Sequence, residues 1–264
     1  MNPKKSKHPQ FPSKVNASAF TLIEVLVVVS IIGVLAVLIF AGVQRVSKSA
    51  QESRAVSALK TVTQAGLNFS ADNNGIPAMI RWQGDPTLAL MPAQNRGYVL
   101  SSVWACTQPY LFPDIGVEPR NNATYANAIR DRLPKLFGMP RESFTQKPTR
   151  FGKGSPFEGA QLMGGDWSGI PNPLAFNGKL TAWGKDPVLL QTVDSMAGTM
   201  YAAFGSGQFS SSDGAAYVPT ATDGSSPTSR IYYLPSKRAI VSFLDGRVDF
   251  VTAPIDPKMF AIDD

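Results

Sequence analysis

The chain has 264 residues, enough for one medium domain plus a separate helical segment, or at most two small domains. Apolar residues make up 44%, so a packed core can form, and the formal charge of +6 gathers at one end: Lys4, Lys5, Lys7 and Lys14 precede any acid, and without them the remainder carries about +2. That total gives no support for a basic stripe for nucleic acid, which is not expected as a partner. The single cysteine, Cys106, excludes an intrachain disulfide.

Residues 1–19, MNPKKSKHPQFPSKVNASA, are polar, basic and rich in Pro and Ser, with nothing to bury. They read as a leader that is removed. The only histidine, His8, lies within it. The mature chain would then lack Ser–His–Asp and Cys–His catalysis and histidine-ligated zinc. The next run is FTLIEVLVVVSIIGVLAVLIFAGV. Residues 25–43 carry no charge, and Ser30 is their one polar side chain. A bilayer core needs roughly 20 such residues as a helix. The β-branched residues lower helix propensity in water. In lipid, however, a lone segment must satisfy its own backbone, and only a helix does so. A secretory signal would be cut after the run at a small-x-small site; no such site follows.

Beyond Val43 the pattern stays helical. Ala55, Leu59, Val62, Gly66 and Phe69 recur at spacings of four and three, while Arg54, Ser57, Lys60, Thr61 and Gln64 fall off that stripe. Asn73, Asn74 and Gly75 form a stop, with Pro77 beyond. One helix is therefore predicted from Phe20 to Asp72, roughly 80 Å long. Its 20–43 part would span or polymerise, and its second part would lie against a body.

The body, 76–264, differs in composition. Apart from Pro3, Pro9 and Pro12, all 21 prolines fall in it; apart from Gly33, Gly42 and Gly66, all 22 glycines lie from Gly75 onward. A short helix is predicted within Asn121–Phe137, with Ile129, Leu133 and Leu136 on one side and Pro134 arguing for a break. Residues 205–230 read as an exposed loop or linked turns. AIVSFL-DG-RVDFV reads as a hairpin, 239–251, on a two-residue Asp-Gly turn. That turn sets Phe243 opposite Val248 and Val241 opposite Phe250. Phe243, Val241, Val248 and Phe250 would then share one face, with Ser242, Arg247 and Asp249 on the other. Ile231–Leu234 is a candidate neighbouring strand.

The junction Ala19-Phe20-Thr21-Leu22-Ile23-Glu24 combines a basic leader, a small residue, Phe, a polar residue, two aliphatics and Glu before an apolar helix. This resembles the prepilin cleavage and methylation motif of type IV pilins and type II secretion pseudopilins, over about residues 14–75. The resemblance implies cleavage of the Ala19–Phe20 bond by a prepilin peptidase and methylation of the new amine on Phe20. It implies subunit-assembly roles for Glu24 and Gly33. It also implies an α+β, pilin-like fold: a long N-terminal transmembrane and amphipathic helix packed on a small antiparallel sheet, rich in loops. The chain departs from the family in having Ala19 where Gly is usual and Ala41-Gly42 where many pilins carry Pro. It also lacks the C-terminal disulfide loop. Glu24 is an ionisable group at the start of an apolar span, a costly placement. In a bundle of parallel helices its carboxylate can meet a neighbour's staggered amine, and pairing two costly charges favours assembly. Val, Ile, Leu, Gly and Ala faces would supply the remaining packing.

The expected function is thus a structural filament subunit, of a type IV pilus-like fibre or a type II secretion pseudopilus, and not an enzyme. The implied partners are the prepilin peptidase, identical or related pilin subunits and an inner-membrane assembly platform. The implied location is the bacterial inner membrane, single-pass, with the body periplasmic or extracellular and part of a filament after assembly. Lys and Arg flank the span almost evenly, so orientation rests on the resemblance. The alternative is a single-pass anchored binding module for glycans, surfaces or DNA, and an anchored hydrolase is disfavoured by the missing histidine. No cofactor or metal is expected. Asp213-Gly214, Asp223-Gly224 and Asp245-Gly246 raise calcium as the alternative, but plain turns explain them. Cys106 reads as a small buried residue, and Trp82, Trp104, Trp167 and Trp183 as packing groups more than a sugar-binding surface.

Overall fold

The computed structural model describes residues 21–78, 103–115, 123–139, 156–157, 173–180, 188–205, 207–209, 231–260 and 262. It divides into two compact units, one ending at Ser47 and the other starting at Lys48. Helix α1, Leu22–Asp72, contributes to both. The remaining elements belong to the second unit: α2 (Val103–Leu111), α3 (Ala123–Phe137), β1 (Leu174–Asn177), β2 (Met200–Phe204), β3 (Gly207–Phe209), β4 (Arg238–Phe243) and β5 (Val248–Thr252). The architecture is α+β, with a long apolar N-terminal helix and a small, mainly antiparallel sheet.

The first unit is helix by default of its composition. Its large apolar residues are exposed, from Leu22 at 84% to Val46 at 69%. The second unit uses the predicted stripe of α1. Ala55, Ala58, Leu59, Val62, Ala65 and Phe69 are buried, whereas Arg54, Ser57, Lys60, Thr61 and Gln64 are exposed. The helix stops through a Schellman arrangement: Asn74 takes φ 59, and the Gly75 N–H donates to the Ser70 carbonyl at 2.8 Å. The Asn73 side chain donates to the Phe69 carbonyl at 2.7 Å, satisfying another orphan acceptor.

The sheet runs β3-β1-β2-β4-β5, antiparallel except for the β1–β3 pair. The residues expected to be an exposed loop therefore contain a strand at 207–209. Glycine-rich sequence carries no strand propensity, but the open side of β1 offers a ladder to complete. Residues 210–230 lie outside the described set. Ile231–Leu234 is buried but forms isolated bridges, Gly205 to Ile231 and Tyr233 to Ala239, rather than a regular strand.

The sheet is apolar on both faces. One cluster joins Leu59 and Val62 of α1, Trp104 of α2, Ile129, Leu133 and Phe137 of α3, and Phe176, Tyr201, Phe204 and Ile240 of the sheet. The opposite cluster holds Ala175, Met200, Ala203, Val241, Phe243, Ile255 and Phe260. The register shift between Met200 and Ala202 lets the adjacent Tyr201 and Ala202 both join the helix-side cluster. Helix α3 passes through Pro134 without breaking. The proline falls in the last turn, where one lost backbone bond is outweighed by burial of Ile129, Leu133 and Phe137. The buried stripe is thus 129, 133 and 137, with Leu136 only partly covered.

The hairpin register differs from the predicted one. Ile240 lies opposite Phe250, Val241 opposite Asp249 and Ser242 opposite Val248. The loop has three residues, Leu244-Asp245-Gly246. The Gly246 N–H donates to the Phe243 carbonyl at 3.0 Å, and the Phe243 N–H to the Arg247 carbonyl at 2.9 Å. Gly246, at φ 86, supplies the left-handed residue this turn needs. The extra loop residue turns Leu244 into the helix-side core, and Val248 and Phe250 pack against the same cluster. Val251 faces the opposite one.

Burial pushes the Tyr233 hydroxyl from 10.0 up to about 12. In the unfolded chain it would ionise at the lower value. Its contribution to stability is therefore complete below about pH 10 and is lost as pH rises through 12. Thermal melts across that window are expected to show a smaller loss for Tyr233→Phe than for the parent. An equal loss in both would show that Tyr233 is not the responsible group.

Candidate functional site

The motif residues sit at the start of α1. Thr21 and Glu24 close a reciprocal capping box: the Thr21 N–H donates to Glu24 Oε2 at 2.8 Å, and the Glu24 N–H donates to Thr21 Oγ1 at 3.4 Å. The Thr21 hydroxyl donates to the same Oε2 at 2.8 Å. Glu24 therefore sets the first helical turn as well as placing a charge there. Thr21 was not among the candidate site residues, although the Thr-x-x-Glu spacing before an apolar run is a readable helix-start signal. Ala19 and Phe20, the expected cleavage pair, lie outside the described residues.

From Leu22 onward the helix is long and apolar enough to cross a membrane. The one polar side chain in its core, Ser30, is satisfied internally, its hydroxyl donating to the Leu26 carbonyl at 2.7 Å. A span whose polar groups bond only to themselves suits lipid or a ring of similar helices. Gly33 lies on this surface with nothing within 4 Å of where a Cβ would stand, and Gly42 is the same. Neither glycine is required by the fold of the single chain. Each leaves a shallow place where another helix could approach closely.

Among the described residues the second unit offers no comparable feature. Among the described residues no three His, Cys, Asp or Glu side chains gather to hold a metal ion. Asp213 and Asp223 lie outside the described residues. Asp245 serves the hairpin turn, its Oδ1 accepting the Arg247 N–H at 2.9 Å. A cleft of about 630 Å³ beside β5 is lined by Asp194, Thr199, Asp249, Val251, Lys258 and Met259, among others. Arg247 at its rim is already committed. It lies 4.0 Å over the Phe243 ring, donates to Asp249 at 2.9 Å and donates to the Ala197 carbonyl at 3.0 Å. Ser195, also in the lining, accepts the Gly198 N–H at 3.2 Å. Trp104 and Cys106 are both buried packing groups, as expected of them; Trp82, Trp167 and Trp183 lie outside the described residues.

Residues 14–40 match the family model described as the prokaryotic N-terminal methylation motif. This match covers the leader end, the cleavage junction and most of the apolar span. Comparison with curated proteins and with solved structures found no match. The chain thus carries the prepilin-type cleavage and methylation motif, on a helix suited to a single-pass membrane anchor.

Proposed function

We propose that this chain is a filament subunit, cut by a prepilin peptidase between Ala19 and Phe20 and methylated on the Phe20 amine. The match of residues 14–40 to the N-terminal methylation motif, which runs into an exposed apolar helix, is the observation that carries the reading. The subunit would wait in the inner membrane with its body outside the cytoplasm. An assembly platform would then draw its helix into a bundle of identical or related pilin helices. Glu24 would meet a neighbour's Phe20 amine, and Gly33 would allow close helix packing. The fibre would be a type IV pilus-like filament or a type II secretion pseudopilus. The role is structural: it needs neither catalysis nor a cofactor in the mature chain.

The test is the intact mass and N-terminal peptide of the protein purified from its native membrane. The expected chain begins at Phe20 and carries one added methyl group. A chain that retains Met1, or one cut beyond Val43, would overturn the proposal and favour an anchored binding module.

A further inference from the structure

Strand β5 is an edge of the described sheet, since the order ends β4-β5. Its pairing fixes which backbone groups face outward. The Phe243 N–H donates to the Arg247 carbonyl, and the Ala253 N–H donates to the Lys237 carbonyl at 2.9 Å. Antiparallel bonding alternates, so Asp249 and Val251 bond inward to β4, while Val248, Phe250 and Thr252 turn their N–H and C=O groups away from β4, where no described strand pairs with them. Such an edge is a template for pairing with a second copy. The danger is greatest for a subunit held at high density with its fellows, and this argument therefore rests on the filament reading above.

The middle of that edge is occupied from within. The Phe250 N–H donates to Oδ1 of Asp249 at 2.8 Å, and Oδ2 of Asp249 is held by Arg247 at 2.9 Å. The carboxylate is thus turned along the strand and takes up the donor that an incoming strand would need. Lys258 lines the adjoining cleft, and Pro254, without an N–H, follows shortly after the strand. Charge beside an edge and proline at its end both discourage pairing.

We infer that Asp249 is an edge guard: it caps the Phe250 amide and so prevents two copies of this chain from joining through β5. Assembly is thereby left to α1, and the body stays monomeric in its sheet.

The test uses the full chain in detergent micelles. An antiparallel edge pair centred on Phe250 would set Val248 of one copy opposite Thr252 of the other. In a chain carrying Val248→Cys and Thr252→Cys, oxidation reports that pairing directly as a covalent dimer. The cysteine chain with Asp249 intact is expected to stay monomeric. Adding Asp249→Ala is expected to yield cross-linked dimers, and in the monomer fraction, kept reduced at low concentration, to speed exchange of the Phe250 amide about tenfold. Asp249→Asn, which keeps the Oδ1 acceptor, is expected to behave like the parent. Amide exchange on the folded monomer reads the cap even if a variant is less stable. An Asp249→Ala chain that neither cross-links nor exchanges faster would overturn the inference. So would Asp249→Asn cross-linking as readily as Asp249→Ala.

Discussion

Replacing Glu24 by alanine is expected to leave processing at Ala19–Phe20 intact and to reduce filament mass on the order of tenfold or more. In the proposed reading the peptidase acts on the junction, which Glu24→Ala leaves unchanged at Ala19 and Phe20. The span stays helical in lipid, because its backbone has no other partner there. What disappears is the carboxylate that would pair with a neighbour's amine. The structure adds a second task for the same group, since Glu24 Oε2 also accepts the Thr21 N–H and hydroxyl. Glu24→Gln separates the two. Glutamine can serve at this capping position but carries no charge. If charge pairing drives assembly, Glu24→Gln fails as badly as Glu24→Ala. If Glu24→Gln builds normal filaments, the helix cap is the operative role. The readout is sheared filament yield beside the N-terminal peptide of the membrane pool.

Gly66→Ala is expected to destabilise the second unit by about 2 kcal/mol. Gly66 lies on the buried face of α1, where a Cβ would stand 2.5 Å from the Tyr201 hydroxyl. Tyr201 cannot simply swing away. It is 1% exposed, its ring meets Phe176 edge-on at 5.6 Å, and its hydroxyl donates to the Ala78 carbonyl at 2.5 Å. Relief requires either moving a packed ring or giving up that bond, which would leave a buried carbonyl unpaired. The gain in helix propensity from alanine is smaller than either cost. For a unit of this size the melting temperature should fall by about 5 °C. Tyr201→Phe removes the clashing oxygen, so the double variant should be less destabilised than the sum of the singles. Strict additivity would show that the glycine and the tyrosine do not confront each other.

The parts of this protein legible in the sequence are those written over short distances. The methylation motif is a string of adjacent residues. The apolar span needs only its own composition to become a helix, and the stripe from Ala55 to Phe69 declares its buried side through its period alone. The stop at Asn73-Asn74-Gly75 is equally local. Strands β1 and β2 had no such signature, because LAFN and MYAAF are buried on both faces and so lack the alternation that marks a half-exposed strand. Helix α2 carries Thr107 and Gln108 in the core, where the backbone carbonyls of Val103, Phe112 and Ile115 satisfy them. No pattern of apolar residues could announce that.

The hairpin shows where the boundary falls. Its location follows from two strand-like runs around Asp-Gly, but its register turns on one residue of loop length. That was decided by the burial of Leu244 in a core built from three helices and by the left-handed backbone of Gly246. The sequence by itself determined the motif, the spanning helix and the face that helix presents to the body, since each depends on neighbours in the chain. Only the tertiary structure decided which strands pair, which glycine must stay small against Tyr201 and which edge Asp249 closes. Those outcomes depend on the shape and bonding of residues far apart in sequence, brought together by a shared core.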